Sequence, residues 1–404
     1  MILRNLELNE SDRRELKTKI FASDHKNLNS SLTLNTISTR HEECEEREYN
    51  GERSRSSSAC GLNCDFLLGP TNSIGEARIE ELTIERCRLD LEGARVLGKA
   101  LRTNSNNSAI SALKSLRMVN LVFWDEDNEA SEILLPLLEG LSEAGKRGGC
   151  LESLEFRRIE FPSALRSRFF SALGECKNLR SLKLTDCDIR PEDAFEFAEA
   201  LAGLSLESLD LSQNHIDGGG LEILLKHGKA GKKNLKRLVL SHNPIGDNGA
   251  VYLSEFLSQP SIKIESLVLL DCDLWLPGCS SLARGLRNFT LRELVVGGEW
   301  EHHLESIADS LRTNVSLKQL LIASQAFCEA DQYLSSTIET IEFYLNLNRA
   351  HRRISVDENL SFKLWPTILG NNNNNETKVN YRTSVDLWYH LLSRRPELVA
   401  TDWS

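Results

Sequence analysis

Leu179-Arg180-Ser181-Leu182-Lys183-Leu184-Thr185-Asp186-Cys187-Asp188-Ile189 is followed, 27 residues on, by Leu206-Glu207-Ser208-Leu209-Asp210-Leu211-Ser212-Gln213-Asn214-His215-Ile216. The shared pattern is Leu-x-x-Leu-x-Leu-x-x-Cys/Asn-x-Ile. Further copies begin at Ile79, Leu113, Leu151, Leu235, Ile264, Leu291 and Leu317. From Leu151 onward the steps are 28, 27, 29, 29, 27 and 26 residues. The first two steps, 34 and 38, carry insertions near Ser105–Ser111, Phe123–Ser131 and Lys146–Gly149. A fixed period of this length means units that cannot bury a core alone and stack to form one.

Each copy can be read physically. Positions 4 and 6 are apolar and one residue apart, so they face the same side of a short strand. Position 5 faces the opposite side. Position 9 is Cys87, Cys187, Asn214, Asn243 or Cys272, where the chain leaves the strand and turns inward. The backbone groups buried there need partners, which an Asn amide supplies and a thiol supplies more weakly. An apolar-periodic helix follows, as in Asp247–Leu253 and, after Pro191, in Glu192–Ala198.

Strand, turn and long helix, with Gly93-Ala94…Leu97…Leu101 and Gly249-Ala250…Leu253…Leu257, resemble the ribonuclease-inhibitor-like class of leucine-rich repeats. The resemblance implies an α/β fold: a leucine-rich-repeat solenoid, or horseshoe, with parallel strands on the concave face and helices on the convex face. About nine repeats fill 79–345. Residues 1–39 read as an N-terminal cap or degenerate repeats, with Leu3-x-x-Leu6-x-Leu8 and Leu32-Thr33-Leu34 as strands. Residues 40–78, rich in Glu, Arg and Ser, read as a disordered polar insertion. Residues 346–404 form a C-terminal cap and tail with an Asn-rich loop at 371–375, after a closing helical pattern at 330–348. Leu347-Asn348-Arg349, Leu364-Trp365-Pro366 and Leu391-Leu392…Arg395-Pro396 resemble the tail of diatom-type leucine-rich-repeat families, which brings no activity with it.

Composition bounds the function. The net charge of −11 disfavours nucleic acid, which asks for a basic surface. No run of about 18 apolar residues offers a membrane span. The ten scattered cysteines, several at repeat positions, suit reduced thiols in a cytoplasmic protein, with the nucleus also open to it.

Apparent chemical motifs dissolve on inspection. Gly140-x4-Gly145-Lys146 mimics a phosphate loop, but Arg147 stands where Ser or Thr must hold magnesium. Gly228–Lys232 is a similar decoy. Glu299-Trp300-Glu301-His302-His303 reads as a solvated loop rather than a metal cluster, because adjacent His residues do not converge. Cys60-x3-Cys64 with His41 and Cys44 makes an unusual zinc spacing. No catalytic, cofactor or metal residues are expected, and no small-molecule substrate.

The variable positions carry the functional information. Position 5 reads Thr83, Arg117, Glu155, Lys183, Asp210, and then Val239, Val268, Val295, Leu321. The expected partner site is therefore an exposed apolar anchor of Val239, Val268, Leu270, Val295 and Leu321. Arg158, Lys183, Asp186, Asp210, Arg237, His242 and Asp271 would supply charged selectivity. The first reading is a non-enzymatic scaffold holding a protein partner on the concave face. Two alternatives share the architecture: a Ran-type GTPase-activating protein, which would leave little local signature, and a substrate-recognition subunit of a ubiquitin ligase.

Overall fold

A computed structural model describes residues 2–4, 31–35, 79–102, 113–123, 129–227, 234–297, 300–323 and 332–349. The strands are β1 (Ile2–Arg4), β2 (Ser31–Asn35), β3 (Glu81–Glu85), β4 (Arg88–Leu89), β5 (Ser115–Val119), β6 (Val122–Phe123), β7 (Ser153–Arg157), β8 (Ser181–Thr185), β9 (Ser208–Asp210), β10 (Arg237–Val239), β11 (Ser266–Leu269), β12 (Glu293–Gly297) and β13 (Gln319–Ala323). The helices are α1 (Leu91–Arg102), α2 (Ala130–Lys146), α3 (Ser163–Glu175), α4 (Ala194–Ala202), α5 (Gly218–Lys226), α6 (Gly246–Leu257), α7 (Leu276–Gly285), α8 (Leu304–Thr313) and α9 (Gln332–Arg349). One strand of the main sheet and one helix per repeat from Ile79 onward, with the described strands pairing parallel, make this an α/β leucine-rich-repeat solenoid; the short β4 and β6 pair apart from that sheet.

The chain forms two compact units, Met1–His215 with Lys226–Leu235, and Ile216–Leu225 with Lys236–Ser404. In the first unit, β3, β5, β7, β8 and β9 pair so that Leu82, Leu116, Leu154, Leu182 and Leu209 lie side by side. These leucines and the position-6 residues Ile84, Met118, Phe156 and Leu184 are buried against the helices. The repeat that starts at Leu151 fills its layer with rings: Phe161 stacks on Phe169 at 3.9 Å, and Phe156, Phe170 and Phe197 continue the chain of contacts. In the second unit, β10 to β13 align Leu238, Leu267, Leu294 and Leu320. Burial of the position-4 leucines is what keeps the register from slipping, since a one-residue shift would turn them outward.

Two features differ from the sequence expectation. Strand β2 pairs Leu32 with Leu82 and Leu34 with Ile84, in repeat register, but β1 sets Leu3, not Leu8, beside Leu34. In a three-residue strand either set of apolar residues can supply the pairing, so spacing alone does not decide. Trp300 is fully buried, its Nε1 donating to the Gly297 carbonyl, so this residue belongs to the packed core rather than to a solvated loop. The insertion at 40–78, the proposed zinc residues, the Gly228–Lys232 decoy and the tail from 350 onward lie outside the described residues. Helix α9 runs to Arg349, past the 345 boundary, and Asn348 is buried within it, donating to the carbonyls of Asn314 and Leu317.

The phosphate-loop mimic has a packing explanation. Gly140 lies inside α2, and a Cβ there would collide with the Gly98 carbonyl oxygen of α1. Gly98 is reciprocal, since a Cβ there would collide with the Pro136 carbonyl oxygen. The two glycines let neighbouring helices touch backbone to backbone, so either one replaced by Ala would push the repeats apart.

Position 9 works as expected, and the second unit repeats the arrangement. Asn243 Oδ1 accepts from the Ile216 N–H while its amide donates to Leu240 and Ser241 carbonyls. Where Cys replaces Asn, its thiol reaches carbonyls: Cys187 towards Phe156 and Thr185, Cys272 towards Leu240 and Leu270. Burial pushes the thiols of Cys176, Cys187 and Cys272 up to about 12, while Cys150 is exposed. Iodoacetamide at pH 8 should therefore alkylate Cys150 in the native protein at least about 100-fold faster than these three, because the thiolate is the reacting form. Peptide-resolved mass spectrometry reads the rates. Equal rates would mean that the layers holding these three thiols are open to solvent.

Candidate functional site

The strand face turned away from the helices holds position 5, and each unit presents its own version. In the first unit Thr83, Arg117, Glu155, Lys183 and Asp210 form one row in register. The row is internally compensated. Glu155 lies 3.0 Å from Arg117 Nε and 3.7 Å from Lys183 Nζ, so one carboxylate serves two cations. Asp210 accepts from the backbone N–H and hydroxyl of Ser212. Exposed pairs of this kind contribute on the order of 0–1 kcal/mol each, so the row shapes a potential more than it stabilises the fold.

Position 8 adds a second row. Arg86, Asn120, Arg158, Asp186 and Gln213 in the first unit, and His242 and Asp271 in the second, all have φ between 48° and 58°. At Arg86, Asn120, Arg158, Asp186 and His242 the left-handed turn aims the backbone N–H at the next repeat: Arg158 N–H donates to the Thr185 carbonyl, Asp186 N–H to Ser212, His242 N–H to Leu270. The conformation is thus demanded by the repeat. Asn, Asp and His tolerate it, whereas Arg86, Arg158 and Gln213 carry a cost of about 1 kcal/mol or more each. Their side chains stand exposed along the rim, and Arg158 faces Asp186 at 3.5 Å. Nothing in the residue types announced this geometry; only the repeat register exposes it.

In the second unit the position-5 row is Val239, Val268, Val295 and Leu321, again in register. Here the exposed-anchor expectation needs correction. Val239 and Val268 retain only 9% of their surface, Val295 is half-buried, and Leu321 keeps 51%. Aliphatic side chains on adjacent strands, about 4.8 Å apart in any sheet, cover each other's flanks, which a row of mixed charges does less completely. The open apolar surface is therefore concentrated at the β13 end. Leu270, half-buried, leans over Gly297, where a Cβ would lie 3.5 Å from its Cδ2.

Polar groups border this ladder on two sides. Along one edge Arg237 Nη1 lies 3.0 Å from Ser266 Oγ and 3.4 Å from Glu293 Oε2, and Ser266 Oγ donates to Glu293 at 2.6 Å. Along the other His242 Nδ1 faces Asp271 Oδ2 at 3.3 Å. Of the expected residues, Arg237, Val239, His242, Val268, Leu270, Asp271, Val295 and Leu321 come together in this unit, while Arg158, Lys183, Asp186 and Asp210 belong to the first. Glu293 was missed. Its position-3 register with Ser266 and Arg237 was the signal that could have found it. Among the described residues there is no cluster of three or more His, Cys, Asp or Glu side chains arranged to hold a metal ion. Likewise, no described helix is long and apolar enough to cross a membrane.

Comparison with known proteins agrees with the repeat reading. The family model described as Leucine Rich repeat matches residues 175–198, 204–224 and 231–254. The chain is 35% identical over 278 residues to the ribonuclease inhibitor of Mus musculus, covering 58% of this chain and 60% of that protein. It is 28% identical over 225 residues to the ribonuclease inhibitor of Sus scrofa, covering 55% and 46%. To NACHT, LRR and PYD domains-containing protein 5 of Bos taurus it is 26% identical over 235 residues, covering 57% of this chain and 19% of the relative. The chain thus spans between a fifth and three fifths of the length of these relatives.

Proposed function

We propose that this chain, a ribonuclease-inhibitor-like leucine-rich-repeat protein, is a non-enzymatic scaffold that holds a protein partner on the open strand face of its second unit. One observation carries the reading. Position 5 tolerates Thr, Lys and Asp in the first unit, so the scaffold does not require aliphatics, yet the second unit places Val268, Val295 and Leu321 in one row and leaves Leu321 half in water. Contiguous apolar surface bordered by polar groups is how partner sites are built. In this reading Leu321 and Val295 anchor the partner, while Arg237, Glu293, His242 and Asp271 select it by charge. The names of the two inhibitor relatives, which describe action on another protein, support the same class of function.

The reading is tested with Leu321→Glu rather than Val268→Glu, because Leu321 is exposed and a charge there leaves the core intact. Its melting temperature should match wild type within the shift of about 0.5 kcal/mol expected of a surface change. Immobilised full-length protein should lose at least one wild-type partner by about tenfold, the equivalent of roughly 1.4 kcal/mol. Identical retained proteins with both variants would overturn the reading. So would stimulation of GTP hydrolysis by a Ran-type GTPase, which would make the chain an activator rather than a passive scaffold.

A further inference from the structure

Strand β7 of the first unit carries an arginine that the repeat's own pairing does not use. Arg157 stands at position 7, in register with Val119 on β5 and Thr185 on β8, so neither lateral neighbour bears a charge. Two residues back on the same face, Glu155 is already engaged by Arg117 and Lys183, and its side chain is only 18% exposed. Arg157 itself is exposed and meets no acid among the described residues. Arg158 follows in the left-handed turn, 3.5 Å from Asp186, with both side chains at least half exposed. An exposed pair of that kind is held weakly and is open to exchange.

The face thus presents four cations, Arg117, Arg157, Arg158 and Lys183, against two carboxylates, one of them largely covered. It does so on a chain whose net charge is −11. Strand formation does not ask for this surplus, since position 7 is Val on one neighbouring strand and Thr on the other. The cations stand on β5, β7 and β8, which are adjacent in the sheet, so they spread over two strand spacings, about 10 Å. That spread exceeds one carboxylate and suits several acidic side chains along one segment. Arginine adds the geometry, because its guanidinium takes a carboxylate through two parallel hydrogen bonds. Glu155 and Asp186 interrupt the patch, which argues against nucleic acid, whose backbone asks for a continuous basic track.

We propose that this face of the first unit binds an acidic segment of a partner protein. Arg157 and Arg158 each take a carboxylate, and Arg117 and Lys183 flank them. Arg158 exchanges Asp186 for the incoming acid, while Glu155 stays with Arg117 and Lys183 and holds their side chains in place. The proposal does not rest on the apolar ladder of the second unit. It gives the chain a second surface of different chemistry, with an affinity that salt controls.

The probe is a fluorescein-labelled peptide of eight glutamates, with eight glutamines as the neutral control, read by anisotropy against the full chain at low ionic strength. The glutamate peptide should bind at least about tenfold more tightly than the control, although the chain as a whole repels it. Salt at about 0.15 M should weaken it severalfold, because exposed charges are then screened beyond about 8 Å. Arg157→Gln with Arg158→Gln should weaken it at least about fivefold at unchanged melting temperature. Both side chains are exposed, and Gln213 shows that the left-handed turn accepts glutamine. Arg237→Gln with Arg292→Gln removes the same charge from the second unit and should change binding less than about twofold. Equal binding of the two peptides, equal losses from the two double variants, or tighter binding of an eight-residue oligothymidylate would each overturn the inference. Leu321→Glu should leave glutamate binding intact, so failure of the apolar-ladder reading and failure of this one are told apart.

Discussion

Asn214→Ala should cost the first unit about 4 kcal/mol, a large part of the stability of an ordinary domain. The side chain is 3% exposed and its amide is used completely. Oδ1 accepts from the N–H groups of Cys187 and Ile189, both at 3.1 Å, one repeat earlier. Nδ2 donates to the carbonyls of Leu184, Leu211 and Ser212 at 2.7, 2.9 and 3.1 Å. Alanine strands backbone groups in two adjacent repeats at once, and each buried group left unmade costs on the order of 1–3 kcal/mol before relaxation. Asn214→Cys should cost roughly half as much. The thiols of Cys187 and Cys272 show that a thiol can reach carbonyls at this position, but it cannot replace the acceptor that holds two N–H groups. Urea unfolding followed by circular dichroism measures both variants, read from the transition of the first unit because repeat arrays need not unfold in one step. A loss below about 1 kcal/mol for Asn214→Ala would mean that the inward turn is held by something other than this amide.

That role was readable from the sequence because Asn or Cys stands at the same position in five repeats, although Leu121 and Ile159 take it in two others. A strand that turns inward buries its backbone, so a residue with both donor and acceptor recurs there. The leucines at positions 4 and 6 were readable for a similar reason: a buried face imposes its period on the chain. The helix expected at 330–348 and observed at Gln332–Arg349 follows from the same apolar spacing.

Other features depend on neighbours that the repeat alignment does not supply. The burial of Val239 and Val268 depends on what stands beside and above them, and both are Val in a position where Lys and Asp also fit. The left-handed turn at Arg86 or Arg158 is imposed by a hydrogen bond to the next repeat, while Arg as a residue type points elsewhere. Gly98 and Gly140 meet across two helices and signal nothing singly. Trp300 lies between Glu299 and Glu301, with two histidines following, which suggests water, yet its ring is fully buried. In each case the pattern along the chain gives the scaffold, and the pattern across repeats gives the surface.

Arg166 is the clearest residue outside the repeat pattern, and Arg166→Ala should cost about 3 kcal/mol and change how stability responds to acid. The guanidinium on α3 bridges two carboxylates in the next repeat, bonding to Asp188 and, at 2.6 Å, to Asp193, while its Nε donates to the Phe161 carbonyl. Asp193 also accepts from the Arg190 N–H, and Asp188 accepts from Arg190 Nε and faces His215 Nε2 at 3.4 Å. All three bridged side chains are largely covered, so deleting the cation leaves two acids close together with little water; removing one partner of such a buried group costs roughly 3–5 kcal/mol. The low end applies because Arg190 still serves Asp188. Burial alone would raise the Asp188 carboxyl, but hydrogen bonds from Arg190 and Arg166, and their charges, outweigh it and hold the group below the ordinary carboxylate range. A depressed folded value means a stabilisation that is fully present above the unfolded pKa, about 3.9, and is lost as pH falls through the folded one. Wild type should therefore lose melting temperature steeply below about pH 4, and Asp188→Asn should flatten that limb. In Arg166→Ala the Asp188 carboxyl loses one of its two cations, so its folded value moves back towards the unfolded one and the acid decline should be shallower and end at higher pH than in wild type. Asp193→Asn added to Arg166→Ala should recover part of the loss by removing the uncompensated neighbour. Thermal melts of the four proteins from pH 3 to pH 8 measure this, and parallel curves would reduce the bridge to a surface contact with no hold on the repeats it joins.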